Sequence, residues 1–169
     1  MTEPPCVREA TLADVDGIID ALGPVAAEDR WIATELPLPR ERMRVRFAQT
    51  LESTEGTIFV ALQGTQIVGS LGLHGGYRGA VELGMSLVAE CRGRGLGSRL
   101  MEAAVAWSRA HGYHKISLTV APWNEAAIRL YERYGFVREG FLRKHLRRND
   151  GALWDLIEMG LLLDEAPLR

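Results

Sequence analysis

The chain has little cysteine and no long apolar run, and both deficits limit what it can be. Only Cys6 and Cys91 occur in 169 residues, too few for a disulfide framework, which predicts a reducing compartment. No apolar run approaches the roughly 20 residues of a membrane span. The first ten residues lack the basic and apolar regions of a signal peptide. We therefore expect a cytoplasmic protein with no membrane attachment.

Strong charge of one sign is also missing. The sequence has 20 basic and 22 acidic residues, and its net charge is -2, so no basic field favours nucleic acid as a partner. Histidine and cysteine are not clustered at metal-ligand spacing, so no metal is expected. The length and the 47% of hydrophobic residues predict one globular domain over residues 1–169.

The apolar patterns predict a mixed α/β sheet with about seven strands and four helices. A short first strand and two helices come first, the earlier helix over residues 11–22. A meander, a strand-helix-strand unit and a fourth short helix follow, and a hairpin turning at Asn149–Gly151 ends the chain. The strand-helix-strand unit implies a parallel pair between the fourth strand, 80–88, and the fifth, 114–121.

Glycine is concentrated at one predicted strand-to-helix corner, "CRGRGLGSR". A first helical turn leaves N–H groups free and carries the positive end of the helix dipole, while glycine lets the backbone approach a ligand. The corner is therefore a candidate phosphate site, the alternative being a turn that only needs positive φ. A P-loop and a dinucleotide fingerprint both fit poorly, since Ser98 follows Gly97 and the next strand has no acidic residue.

Two stretches carry a family resemblance. "VAECRGRGLGSRLM" resembles the acetyl-CoA signature of the GCN5-related N-acetyltransferases (GNAT), with Arg92, Gly95 and Gly97 at its fixed positions. "NEAAIRLYERYGFVREG" resembles the second motif of that family, at the family's spacing. The resemblance implies a GNAT-like acyl-CoA N-acyltransferase fold, in which strands four and five splay apart. The bacterial small-amine, amino-acid and protein N-terminal acetyltransferases are the expected branch.

The resemblance also implies cofactor residues. The corner would hold the diphosphate of acetyl-CoA through the backbone amides of its residues: Arg92, Gly93, Arg94, Gly95, Leu96, Gly97 and Ser98. Backbone at Ser86, Leu87 and Val88 would pair with pantetheine, and the Val88 N–H is the expected donor to the carbonyl oxygen. Asn124 would hydrogen-bond the cofactor, although it could instead serve only as a helix cap.

Tyr131 is the implied general acid for the departing thiolate. It lies seven residues after Asn124, so the two share one face of a short helix. The alternative is a core aromatic whose hydroxyl reaches the surface.

The sequence offers several candidates for the general base. Several family members have a glutamate on the fifth strand, five residues before the asparagine, where this chain has Thr119. Glu82 on the fourth strand is the next candidate to accept or orient the amine proton, the alternative being a solvated strand glutamate. His74 and Tyr77 are weaker candidates.

The acceptor wall is expected from the loop that follows the first helix and from the final hairpin. Glu28 would attract an ammonium and Trp31 would supply an apolar or cation–π contact, with Asp29 and Glu35 as further carboxylates. The basic run 143–148 is interpreted as a solvated face or as an anion site.

The predicted function is transfer of acetyl from acetyl-CoA to a primary amine of a small molecule, amino acid or polyamine-like, by direct attack. The alternatives are acetylation of a protein N-terminus or ribosomal protein, and a non-catalytic acyl-CoA-binding module. A homodimer is a possible assembly.

Overall fold

The computed structural model describes residues 6–164, which form one mixed sheet with helices on both faces. The elements in chain order are β1 (Cys6–Glu9), α1 (Val15–Ala27), α2 (Arg40–Glu52), β2 (Thr57–Gln63), β3 (Gln66–Gly75), β4 (Ala80–Leu87), α3 (Leu96–Ala110), β5 (Lys115–Val120), α4 (Glu125–Arg133), β6 (Val137–Arg147) and β7 (Leu153–Leu162). Short 3-10 turns precede α1 and α3. No helix within 6–164 is long and apolar enough to cross a membrane.

The sheet confirms the predicted fold class. Its strand order is β1-β2-β3-β4-β5-β7-β6, and β4–β5 is the parallel pair because α3 crosses between these strands. Their pairing covers only Ala80–Glu82 against Lys115–Ser117. Both strands continue beyond this point without pairing to each other, so the sheet opens into a gap after Glu82.

The core is divided between the two faces of the sheet. In β2, Phe59 and Ala61 join a cluster that contains the inner side of α3, while Ile58 and Val60 join a second cluster with α1 and α2. Alternation of side chains along a strand makes this division necessary. The gap between β4 and β5 therefore lies in a sheet that is supported from both sides.

One helix boundary differs from the prediction. The first helix was expected over 11–22, but Thr11 and Asp14 form a capping box around a 3-10 turn, and α1 itself runs from Val15 through Pro24 to Ala27. Proline inside a helix costs about 3 kcal/mol. Val25 and Ala26, 2% and 3% exposed, offset that cost by burying apolar surface after the proline.

Candidate active site

A cavity of about 840 Å³ opens where β4 and β5 separate. The corner before α3 and the inner side of α4 line one part of it, including Gly95, Asn124 and Tyr131. Another part is lined by α2, by β3 and by the segment 28–39 that joins α1 to α2, which we call the acceptor loop. Predicted residues of the cofactor side and of the acceptor side, among them Tyr131 and Trp31, thus line one cavity.

The glycines of the corner serve two different purposes. Gly93 and Gly95 have φ values of +70° and +83°, and a Cβ on either would meet nothing within 4 Å, so their backbone conformation is what requires glycine. At Gly97, a Cβ would lie 3.1 Å from Leu130 Cδ2, so this glycine lets α4 pack closely against α3. Gly97 also lines the cavity.

The first turn of α3 presents unbonded amides. Gly95 is the N-cap and makes no side-chain cap hydrogen bond. The Arg99 N–H donates to the Gly95 carbonyl at 3.1 Å, which makes it the first residue of the helix to donate within the turn. The amides of Leu96, Gly97 and Ser98 precede it and point out of the helix end. The Leu96 side chain is buried in the core, so only its backbone can serve a ligand.

Two predicted ligand residues bind each other instead. The Arg92 guanidinium donates to both carboxylate oxygens of Glu28, at 2.9 and 2.5 Å, and its Nε donates to the Leu87 carbonyl at 2.9 Å. Trp31 Nε1 donates to the same carboxylate at 2.5 Å. Arg92 lines the cavity while it holds this carboxylate, whereas Glu28 lies outside the lining. The Arg92 hydrogen bond also holds the pKa of Glu28 below its usual value.

A second arginine of the corner, Arg94, is exposed and does not line the cavity. Trp31 lines the cavity, with the Arg30 guanidinium 4.6 Å from its ring centroid. The acceptor loop and the corner are thus joined through Arg92, Glu28 and Trp31.

The backbone amides of β4 that face the gap are not all those that the sequence suggested. The Val88 N–H donates to the Val68 carbonyl at 2.9 Å, so it is occupied, and the expected oxyanion donor is corrected. Backbone groups alternate between the two sides of a strand. The amides of Met85 and Leu87 therefore face the gap towards β5, while Ser86 faces β3, opposite Ser70.

Tyr131 is buried on α4, with its ring centroid 5.7 Å from that of Phe136. It lines the cavity, and burial raises the pKa of its hydroxyl to about 12. Asn124 begins the same helix, its Oδ1 accepting from the Ala127 N–H at 3.3 Å. Asn124 is therefore a helix cap that also lines the cavity, and its hydrogen bond to the cofactor stays a prediction.

Glu82 and His74 lie opposite each other on β4 and β3. Both line the cavity, and Glu82 is exposed there. His74 is half-buried, its Nδ1 lies 3.2 Å from Thr50 Oγ1, and burial, followed by the charge of Arg46, lowers the pKa of its imidazole. From the sequence, His74 was only a weaker candidate. Ser70, Gly72 and His74 are alternate residues of β3, so they lie on the same face of the sheet, and all three line the cavity.

Tyr77, the other weak candidate, is 80% exposed and lies outside the cavity lining. Thr119 stands at the position where several family members have a glutamate. It lines the cavity and lies opposite Glu158 of β7. No group of three metal-binding side chains lies within residues 6–164.

The acceptor loop is fastened to the β6–β7 hairpin through Arg148. This arginine is only 4% exposed, which corrects its interpretation as part of a solvated face. It donates to the carbonyls of Ile32 and Ala33 at 3.1 Å each, pairs with Asp29, and stacks 4.0 Å over the Trp154 ring.

Two further contacts close the same wall. The Asn149 N–H donates to the Glu35 carboxylate at 3.0 Å, and Trp123 Nε1 donates to the Arg30 carbonyl at 2.9 Å. The carboxylates of Asp29 and Glu35 are thus used to hold the loop, which corrects their expected role as ligands for an ammonium. Trp123 packs edge-on against Trp154, with centroids 5.0 Å apart.

Comparison with known proteins gives a family and close structural neighbours. The model of the acetyltransferase (GNAT) family matches residues 25–136. The L-methionine sulfoximine/L-methionine sulfone acetyltransferase of Pseudomonas aeruginosa is 29% identical over 164 residues, which cover 94% of each chain.

Solved structures agree on the fold. A GNAT-family acetyltransferase from Streptococcus pneumoniae superposes with a TM-score of 0.83 at 26% identity, covering 94% of this chain and 99% of its own. The protein yncA of Salmonella typhimurium, solved with acetyl-CoA, gives a TM-score of 0.83 at 21% identity, covering 97% and 96%.

Proposed function

This chain belongs to the acetyltransferase (GNAT) family and is an acetyl-CoA-dependent N-acetyltransferase; from that premise we propose that its acceptor is a primary amine of a small molecule, an amino acid or a polyamine-like compound. The single observation that carries the acceptor class is the fastened acceptor loop. A protein N-terminus would need an open groove, whereas here the loop is tied down over the cavity. The relative that acetylates methionine sulfoximine and methionine sulfone supports the same class.

Three separate contacts hold the acceptor loop in place. Arg148 holds its middle, Asn149 holds Glu35, and Arg92 holds Glu28 at its start. Since Arg148 is buried and makes several hydrogen bonds, releasing the loop would leave a buried charge without partners, which costs about 3–5 kcal/mol. A wall held in this way favours a small acceptor that is enclosed before it reacts.

We propose that acetyl-CoA binds between the α3 corner and the free edge of β4. The unbonded amides of the first turn of α3, in Leu96–Ser98, would hold the diphosphate, with Gly93 and Gly95 leaving the approach open. The amides of Met85 and Leu87 would face pantetheine in the gap, and one of them would stabilise the carbonyl oxygen during attack. Asn124 would add a side-chain hydrogen bond from α4.

Two protons must move in the reaction, and two residues are proposed for them. A neutral amine attacks the thioester carbon, a C–N bond forms, and the C–S bond breaks to release a thiolate. Tyr131 would protonate that thiolate, because its hydroxyl remains protonated throughout the physiological range. Glu82 would accept or orient the ammonium proton from its exposed position in the cavity.

The cofactor site is tested by introducing a charge at the corner. Gly95→Glu should abolish acetyl-CoA binding measured by calorimetry, because an anion would occupy the diphosphate position. Gly112→Glu is the matched control: Gly112 also has positive φ, +75°, and open space around its Cβ position, but it follows the other end of α3. Unchanged affinity in a folded Gly95→Glu protein would rule out this site.

The acceptor class is tested by thiol release with a panel of amino acids, polyamines and short peptides. Turnover of the small amines above that of peptides supports the proposal, and the reverse order would favour a protein N-terminus. Binding of acetyl-CoA with no turnover across the whole panel would instead favour a non-catalytic binding module. A single domain over 1–169, a cytoplasmic location and a homodimer also remain our proposals.

A further inference from the structure

The hydroxyl of Thr50 fixes which nitrogen of His74 holds the proton. Thr50 Oγ1 lies 3.0 Å from the Arg46 carbonyl, one turn earlier on α2, and 3.2 Å from His74 Nδ1. A carbonyl can only accept, so the single hydroxyl hydrogen belongs to the bond with Arg46. The Thr50 oxygen must then accept from Nδ1–H, which leaves the lone pair of a neutral imidazole on Nε2.

The nitrogen that carries this lone pair, Nε2, lies beside Gly72. A Cβ at Gly72 would be only 3.2 Å from His74 Nε2, and a Cβ at Gly84, its cross-strand partner, would meet nothing within 4 Å. Both glycines line the cavity. A side chain at Gly72 would crowd Nε2, so the glycine pair leaves this nitrogen reachable from the β4–β5 gap.

The charges around the ring suit proton transfer. Arg46 from α2 and Glu82 from β4 are the charged groups that act on His74: burial and Arg46 lower the pKa of the imidazole, and Glu82 raises it. The net lowering keeps the ring neutral at neutral pH. Glu82 lies directly opposite, where its carboxylate attracts an ammonium and then stabilises the imidazolium.

We propose that His74 is the general base, removing a proton from the acceptor ammonium through Nε2, and that Thr50 is a positioning residue that holds its tautomer. This inference rests on the proposed function, in which Glu82 either accepts or orients the ammonium proton. It assigns acceptance of that proton to His74 and leaves Glu82 to orient the ammonium. The ammonium proton moves to Nε2 and then to water, and the freed nitrogen lone pair forms the C–N bond. The thiolate takes the Tyr131 proton as the C–S bond breaks, and Tyr131 recovers a proton as the nitrogen loses its second one.

The kinetic test uses His74→Gln with Thr50→Val and Thr50→Ser. His74→Gln should lower kcat/KM by about 10²–10⁴-fold and remove the acid limb of its pH profile. Thr50→Val keeps the shape but loses the hydroxyl and should lower kcat by about 10-fold or more through the wrong tautomer, whereas Thr50→Ser should restore it. Acetyl-CoA affinity should stay unchanged in all three proteins.

Tautomer assignment by long-range ¹H–¹⁵N correlation gives a readout that needs no turnover. The parent protein should show protonated Nδ1 and unprotonated Nε2 for His74 near neutral pH. An Nε2–H tautomer would overturn the inference, as would His74→Gln activity within threefold of the parent or an unchanged acid limb. If the parent turns over no amine at all, the proposed function fails, which is distinguishable because the tautomer remains measurable.

Discussion

At the scale of single residues, Tyr131 is suited to give a proton and not to take one. Its pKa of about 12 follows from burial, since an ionised phenolate would lose its hydration inside the α4 layer. The raised value keeps the hydroxyl protonated but makes it a weaker acid than a thiol, whose reference pKa is about 8.5. Proton transfer to the thiolate therefore requires that Tyr131 recover a proton from the product nitrogen as that nitrogen loses its second one.

Replacing Tyr131 by Phe removes that proton and little else. We expect kcat to fall by about 10²–10⁴-fold, with acetyl-CoA affinity nearly intact, because the ring still packs against Phe136. Stopped-flow or steady-state thiol release, under conditions where chemistry limits the rate, measures the loss. Tyr113→Phe is the control, since its hydroxyl donates to the Glu55 carbonyl away from the cavity. A loss of less than threefold would reduce Tyr131 to a packing residue.

The two charges that flank His74 should shift the pH profile in opposite directions. Arg46 lowers the pKa of His74 and Glu82 raises it. Arg46→Gln should therefore move the acid limb of kcat/KM to higher pH, and Glu82→Gln should move it to lower pH. Glu82→Gln should also raise KM for the amine, because an attractive carboxylate is lost. Superimposable profiles for both variants would show that neither charge acts on the catalytic proton.

At the scale of elements, the acceptor loop contributes to the site although it has no regular structure of its own. Its contacts come from the opposite end of the sequence: the bond from Arg148 to Ile32 spans 116 residues. The buried guanidinium of Arg148 therefore joins the middle of the loop to the β6–β7 hairpin. Loss of that group should free the wall of the cavity without touching the α3 corner.

Arg148→Leu tests this separation. We expect KM for the amine to rise by about 10-fold or more, since the loop must be ordered on each binding event, while acetyl-CoA affinity stays unchanged. Arg147→Leu, the exposed preceding residue at the end of β6, is the matched control. Steady-state kinetics with each substrate varied in turn gives both constants. Equal effects of the two variants would mean that Arg148 only stabilises the hairpin.

Sequence patterns were sufficient for the elements and insufficient for their polar contacts. The apolar patterns of β2 to β4 and the helical spacing in α3 are local, so the meander and the parallel pair follow from them, whereas the place of β7 between β5 and β6 does not. Pro24 inside α1 is compensated by tertiary burial that no local rule contains. In the site, the two motifs located Tyr131 and the corner, but the Thr50 hydrogen bond to His74 joins residues 24 apart on different elements.

At the scale of the whole molecule, the two faces of the sheet support different parts of the proposed site. The cluster with α3 and α4 supports the proposed cofactor side, and the cluster with α1 and α2 supports the acceptor side. β2 contributes alternate residues to both clusters, so neither can lose its packing while the other remains intact. The molecule should therefore unfold as one unit despite the gap in its sheet.

Ile19→Ala and Leu100→Ala test this coupling, one from each cluster. Both side chains are 0% exposed, and each truncation should lower the free energy of unfolding by about 2–5 kcal/mol. If β2 couples the clusters, each variant should show a single urea transition that is coincident by circular dichroism and by tryptophan fluorescence. Acetyl-CoA at 100 times its Kd should then restore about 2.7 kcal/mol in both, because a ligand that binds one face stabilises the whole cooperative unit. Separate transitions in either variant, or protection by acetyl-CoA of Leu100→Ala alone, would show that the two faces fold independently.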